Sequence, residues 1–191
     1  MENSLLMKID ASFALNFLIY IQNIFLNQSR KEGEVTFPYL PLRITFNENF
    51  ESKYNELWNE VSQRIADDHI NGAYIFYEEK DLFYERLFPV NSIGLKDFSE
   101  IYKAFDVWWN SFAGRFAAER SIDEVAEKLY ADLAASLIKR GIKPEHELHI
   151  SLIYDKCILA DAEASSYFAV IPIRDFFVKY EELVQKLLKY I

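Results

Sequence analysis

At 191 residues, 51% of them hydrophobic and 27% charged, the chain has the size of one domain and buries about 70% of its unfolded surface on folding, which excludes a disordered protein and one that needs disulfide or metal staples. Thirty acidic residues against 21 basic ones give a formal net charge of −9, a surface that repels nucleic-acid phosphates and anionic lipid and favours basic partners. The single cysteine, Cys157, cannot close an intrachain disulfide, so the chain reads as cytoplasmic.

Nineteen residues from Ala11 to Ser29 carry no charge. A membrane span needs about 20 mostly apolar residues, and here Asn16, Gln22 and Asn23 interrupt a dense apolar run that reaches only from Phe13 to Leu26. The start, MENSLLMKID, contains acidic Glu2 and leads to no small-residue cleavage pattern, unlike a signal peptide. Ser12, Asn16, Asn23 and Asn27 align on one stripe of a helix whose other positions are almost all apolar. The stretch therefore reads as a buried helix capped by Asp10, enclosed within the chain or between two copies in a homodimer.

From about Leu40 to Phe46, alternating apolar residues predict a strand, and Pro38 and Pro41 make it an edge strand or one that starts late. Asn47 caps a predicted helix to about Ala66, with Phe50, Tyr54, Leu57, Trp58, Val61 and Ile65 on one face. An Asn71-Gly72 turn into Ala73–Tyr77, then Glu78–Asp81 into Leu82–Phe88, predicts a hairpin. A helix with a wide aromatic arc follows over about Lys96–Ala118. The next begins at a capping box, Ser121 with Glu124, and ends at Gly141 before Pro144. Two strands, His146–Tyr154 and Ser166–Ile171, precede a final helix from about Asp175. Strands that come as hairpins predict an α+β fold: a single domain, 1–191, with an antiparallel or mixed sheet of about five strands packed with about five helices.

The five glycines stand at 33, 72, 94, 114 and 141, too far apart for a dinucleotide fingerprint, a P-loop or a G-x-S-x-G elbow. No cofactor is expected. On the strand around His149, the residues Glu147, His149 and Ser151 share one face as candidate catalytic groups, with His149 foremost because imidazole titrates near neutral pH. Same-face neighbours lie about 6.6–6.8 Å apart along a strand, too far for a direct triad, and His146 is expected on the opposite face, which speaks against a metal shared by His146 and His149. His149-x-Ser151 matches one half of the H-x-[ST] pair that two-histidine phosphoesterases need twice; the other half is absent. Asp67, Asp68 and His69 could hold a divalent cation. Tyr74, Tyr77, Tyr84 and Trp108 are candidate binding aromatics, with core packing the simpler role for Trp108.

The absence of familiar catalytic motifs, the −9 charge and the surplus of Tyr and Phe point to a non-catalytic protein-binding module, an inhibitor-, immunity- or regulatory-type factor for a basic protein. The alternative is a small-molecule hydrolase or ligand-binding domain. That alternative requires a concave cavity containing His149 with a carboxylate in reach.

Overall fold

The structure is a computed structural model that describes residues 5–29, 35–40, 43–161 and 164–191. It is mostly helical. A first strand, β1 (Met7–Asp10), leads into the helix α1 (Phe13–Ser29), followed by α2 (Phe50–Asp67), α3 (Asn71–Glu78), α4 (Lys80–Leu87) and α5 (Ser92–Trp109). A kinked turn, Phe112–Phe116, with Gly114 off helical geometry, joins α5 to α6 (Ala117–Arg120) and α7 (Asp123–Arg140). Strands β2 (Leu148–Ile153), β3 (Ala164–Ser165) and β4 (Phe168–Pro172) come next, and α8 (Asp175–Val178) and α9 (Tyr180–Leu187) close the chain.

This overturns the expected five-stranded antiparallel or mixed sheet. The strand order is β1-β2-β4-β3. β1, β2 and β4 run parallel, and the two-residue β3 lies antiparallel on the outer edge of β4. Parallel neighbours need a crossover of about a dozen residues or more. The stretch Tyr154–Tyr167 between β2 and β4 supplies one, where a hairpin would need only a tight turn.

Two predicted elements change type and a third ends early. The hairpin at Ala73–Phe88 is the helix pair α3 and α4: Gly72, Ile75 and Phe76, then Phe83 and Leu87, are buried at helical spacing, and that burial outweighs the β-preference of the aromatics. The Asn-Gly pair marks a close approach and not a turn, because a Cβ on Gly72 would lie 2.6 Å from Ser12 Oγ. The expected strand at Leu40–Phe46 is irregular over its described residues, with Pro41 and Leu42 outside them. Its backbone bonds to side chains and not to a ladder: Ile44 N–H donates to Gln28 Oε1 (3.2 Å) and Thr45 N–H to Asp97 Oδ2 (2.9 Å). The helix predicted to Ala118 stops at Trp109, where the Ser111 hydroxyl donates to Trp108 C=O and accepts from Ala113 N–H.

Two caps also differ. Asp10 ends β1, and the first residue of the polar stripe caps α1, with Ser12 Oγ accepting from Leu15 N–H (3.4 Å). The Ser121 capping box does not form; its hydroxyl donates back to Ala118 C=O and α7 starts without a side-chain cap. Gly141 does take the left-handed conformation expected of a C-terminal glycine, at φ 68°.

The helix α1 is the centre of the molecule. Ala14, Leu15, Phe17, Leu18, Ile19 and Ile21 are fully buried, and its aromatics pack on rings of α3, α4 and α5. Its amides are wholly or partly buried too. Asn16 Nδ2 donates to the C=O of Ser12 and Leu152 while Oδ1 accepts from Tyr154 N–H. Gln22 Oε1 accepts from Ile158 and Leu159 N–H and Nε2 donates to Lys156 C=O. Asn23 and Asn27 hold the C=O groups of Thr36, Phe37 and Pro38. The amides thus fasten two irregular segments whose backbone groups have no ladder. Among the described residues no helix is long and apolar enough to cross a membrane.

Register divides the sheet into two faces. Met7, Ile9, Leu148, Ile150, Leu152, Ala169 and Ile171 face α7 and α9, where the Tyr180 hydroxyl ties the two helices by donating to Asp132 Oδ2 (2.6 Å). Lys8, Asp10, His149, Ser151, Phe168 and Val170 share the opposite face, toward α1 and the end of α2.

Candidate functional site

The only three histidines of the sequence, His69, His146 and His149, line a single cleft of about 450 Å³. Four chain segments build it. β2 supplies His149, and the bend before it supplies His146 and Glu147. The junction of α2 and α3 brings Asp67, Asp68 and His69. The turn entering β4 contributes Ser166 and Tyr167, and β1 places Asp10 beside His149 from the neighbouring strand.

The pairing of His149 with Asp10 sets the chemistry. His149 Nε2 lies 3.1 Å from Asp10 Oδ1, and Lys8 Nζ lies 3.5 Å from Oδ2. Burial pushes the Asp10 carboxyl up, but the hydrogen bond and charge of His149, with help from Lys8, outweigh it and hold the group below its ordinary value. An ionised carboxylate only accepts, so the Nε2 atom carries a proton toward Asp10. Nδ1 has no hydrogen-bond partner among the described residues. The His69 ring meets the His149 ring edge-on at 5.7 Å, and His69 Nδ1 has its own carboxylate, Asp68 Oδ1, at 3.7 Å. The arrangement is two imidazoles in contact, each backed by an aspartate.

Tyr167 completes the wall in a strained backbone conformation, φ 60°, which costs a non-glycine residue about 1–3 kcal/mol. Three bonds hold it there. Its C=O accepts from His149 N–H (2.9 Å), its N–H donates to Tyr190 C=O (2.8 Å), and its hydroxyl accepts from Glu145 N–H (3.0 Å). The His146 ring stands perpendicular to the Tyr167 ring at 5.2 Å. The expectation that His146 and His149 diverge is corrected, because His146 precedes the strand, in a bend where strand alternation does not apply.

The other sequence candidates divide. Asp67, Asp68, His69, Glu147 and His149 come together in the cleft, while Ser151 does not: it is fully buried, absent from the lining, and its Oγ has no partner among the described residues. No set of three or more His, Cys, Asp or Glu side chains among the described residues is placed to hold a metal ion. The aromatic candidates do not converge. Tyr74 is exposed on α3; Tyr77 donates to Asp106 at the end of α5; Tyr84 donates to Asn91 C=O. Trp108 stacks with Tyr20 and packs on Phe37 and Tyr154. Cys157 is buried and outside the cleft lining, and burial pushes its thiol up to about 11. Asp10, Lys8 and Tyr167 were absent from the sequence candidates. Asp10 and His149 are 139 residues apart, and only the pairing of β1 with β2 joins them.

Comparison with known proteins returns no match: no family model, curated protein or solved structure matches the chain.

Proposed function

We propose that the protein is a small-ligand domain that holds a polar molecule in the histidine cleft, with His149 as its acid–base group. The observation that carries this reading is the convergence of all three histidines on one cavity, with His149 held by Asp10. It supplies the cavity and the carboxylate that a hydrolase or ligand-binding domain requires. In a hydrolytic role, His149 Nδ1 takes a proton from a water whose oxygen attacks the substrate's electrophilic carbon or phosphorus. Ionised Asp10 stabilises the imidazolium so formed, and the proton passes on to the leaving group. The test is an NMR screen of polar metabolite-sized fragments, read on the three imidazole side chains. A fragment that shifts His149 and His69 together, and no longer binds the H149Q variant, supports the reading. A library that moves neither ring sinks it.

A second reading, a module that binds a basic protein, draws on a different place. A second cavity, on the other face of the sheet, has carboxylates as its only charged lining groups. Association with a basic partner through such a surface weakens as salt rises. A pull-down that recovers no specific partner at either low or physiological salt counts against it.

A further inference from the structure

β1 is an edge strand, hydrogen-bonded to β2 and to no other described strand. Leu6 C=O accepts from Leu148 N–H (2.8 Å). In a parallel ladder alternate residues turn to the same neighbour, so Leu6, Lys8 and Asp10 bond toward β2 while the N–H and C=O of Met7 and Ile9 point away from the sheet. Such an edge is a template for another strand.

Beside this edge lies a groove of about 660 Å³ between β1 and the start of α7. Met7, Ile9, Ile122, Ala126 and Leu152 give it an apolar floor, and Asp10, Glu119, Asp123 and Glu127 are its only charged lining residues. Some of these carboxylates have local partners: Glu119 accepts from Ala11 N–H and lies 3.8 Å from Arg115, and Asp123 lies 2.8 Å from Arg120. Those arginines, like Lys8, stay outside the lining. Glu127 is exposed and forms no ion pair among the described residues. Backbone groups that pair with no described strand, an apolar floor and a rim of one sign occur together along β1.

We propose that this edge docks a basic extended segment of a partner protein, which adds as a strand beside Met7–Asp10 and sets lysine or arginine side chains among Asp123, Glu127 and Glu119. The backbone of β1 provides affinity without sequence choice, and the carboxylates and the apolar floor select alternating basic and apolar residues. The proposal deepens the protein-binding reading; the groove and the histidine cleft share only Asp10, which lines the one and pairs with His149 in the other.

The probe is a fluorescent octapeptide of alternating lysine and valine, followed by anisotropy and by the amide signals of the protein. It is expected to bind, to shift Met7 and Ile9, and to weaken about tenfold between low and physiological salt. The double variant D123N/E127Q weakens it about fivefold. A peptide with the same side chains and N-methylated backbone loses binding, which tests the strand pairing without altering the protein. The H69Q variant, aimed at the cleft, leaves peptide binding unchanged, so the two readings fail separately. The proposal is overturned if the Lys-Val peptide does not bind, if its shifts map away from β1, or if a Glu-Val or N-methylated peptide binds equally well.

Discussion

Two polar regions of this molecule are built from similar materials and treated in opposite ways. Along α1, the amides of Asn16, Gln22, Asn23 and Asn27 are wholly or partly buried, and each bonds to backbone of a distant segment, with Asn23 also donating to the Asp155 carboxylate and accepting from Gln22. In the cleft, His149 has one ring nitrogen bonded to Asp10 and the other without a described partner, and His69 stands half-exposed. A closed polar network fixes structure, because each bond lost leaves a buried group unpaired. A partly open one costs the fold some stability and leaves a group able to bind or to move a proton. The stripe that reads in the sequence as the narrow polar edge of a buried helix is a fastener, and the chemistry sits where the bonding is incomplete.

Substitutions can press on that contrast. The largest effect is expected from N16L, which strands Leu152 C=O and Tyr154 N–H in the interior and should cost about 3 kcal/mol by urea unfolding. A cost within about 0.5 kcal/mol would mean that the stripe is not a fastener. G72A acts at the base of the same helix, where the new methyl meets Ser12 Oγ, and should cost about 2 kcal/mol in the same assay.

D10N tests the cleft through pH. Because the Asp10 carboxyl is held below its unfolded value, its contribution is present at pH above about 4 and is lost as pH falls through the folded value. The gap in melting temperature between the wild-type protein and D10N should therefore be widest near neutrality and close in acid. A constant gap would mean that Asp10 acts through packing alone. S121A should be the mildest, under about 0.5 kcal/mol and not the roughly 1 kcal/mol of a true cap, because its hydroxyl bonds backward to Ala118.

The long helices were legible in the sequence because their apolar residues repeat at a period close to 3.6: Phe50 to Ile65 marks α2, and Leu129, Leu133 and Leu137 mark α7. The hairpin reading of Ala73–Phe88 failed because aromatic β-preference and an Asn-Gly pair are local signals, and burial against α1 decided otherwise. β1 was hidden by its brevity, four residues of which two are charged, and by an aspartate that doubles as a plausible helix cap. The cleft was half-legible. His149 was the right place to look, whereas its partner Asp10, the neighbouring His69 and the turn at Tyr167 come from segments that no sequence spacing connects. Ser151 shared a face with His149 on paper and is sealed inside.

The pairing of Met7 with Leu148 spans 141 residues, with every helix from α1 to α7 in between. Synthesis at about 5–20 residues per second leaves the first strand without its neighbour for roughly 7–28 s. Through that interval the most apolar helix in the chain hangs just behind an unmatched edge. Until then α1 has only helices to pack against, and the aspartate–histidine contact cannot form before residue 149 is made.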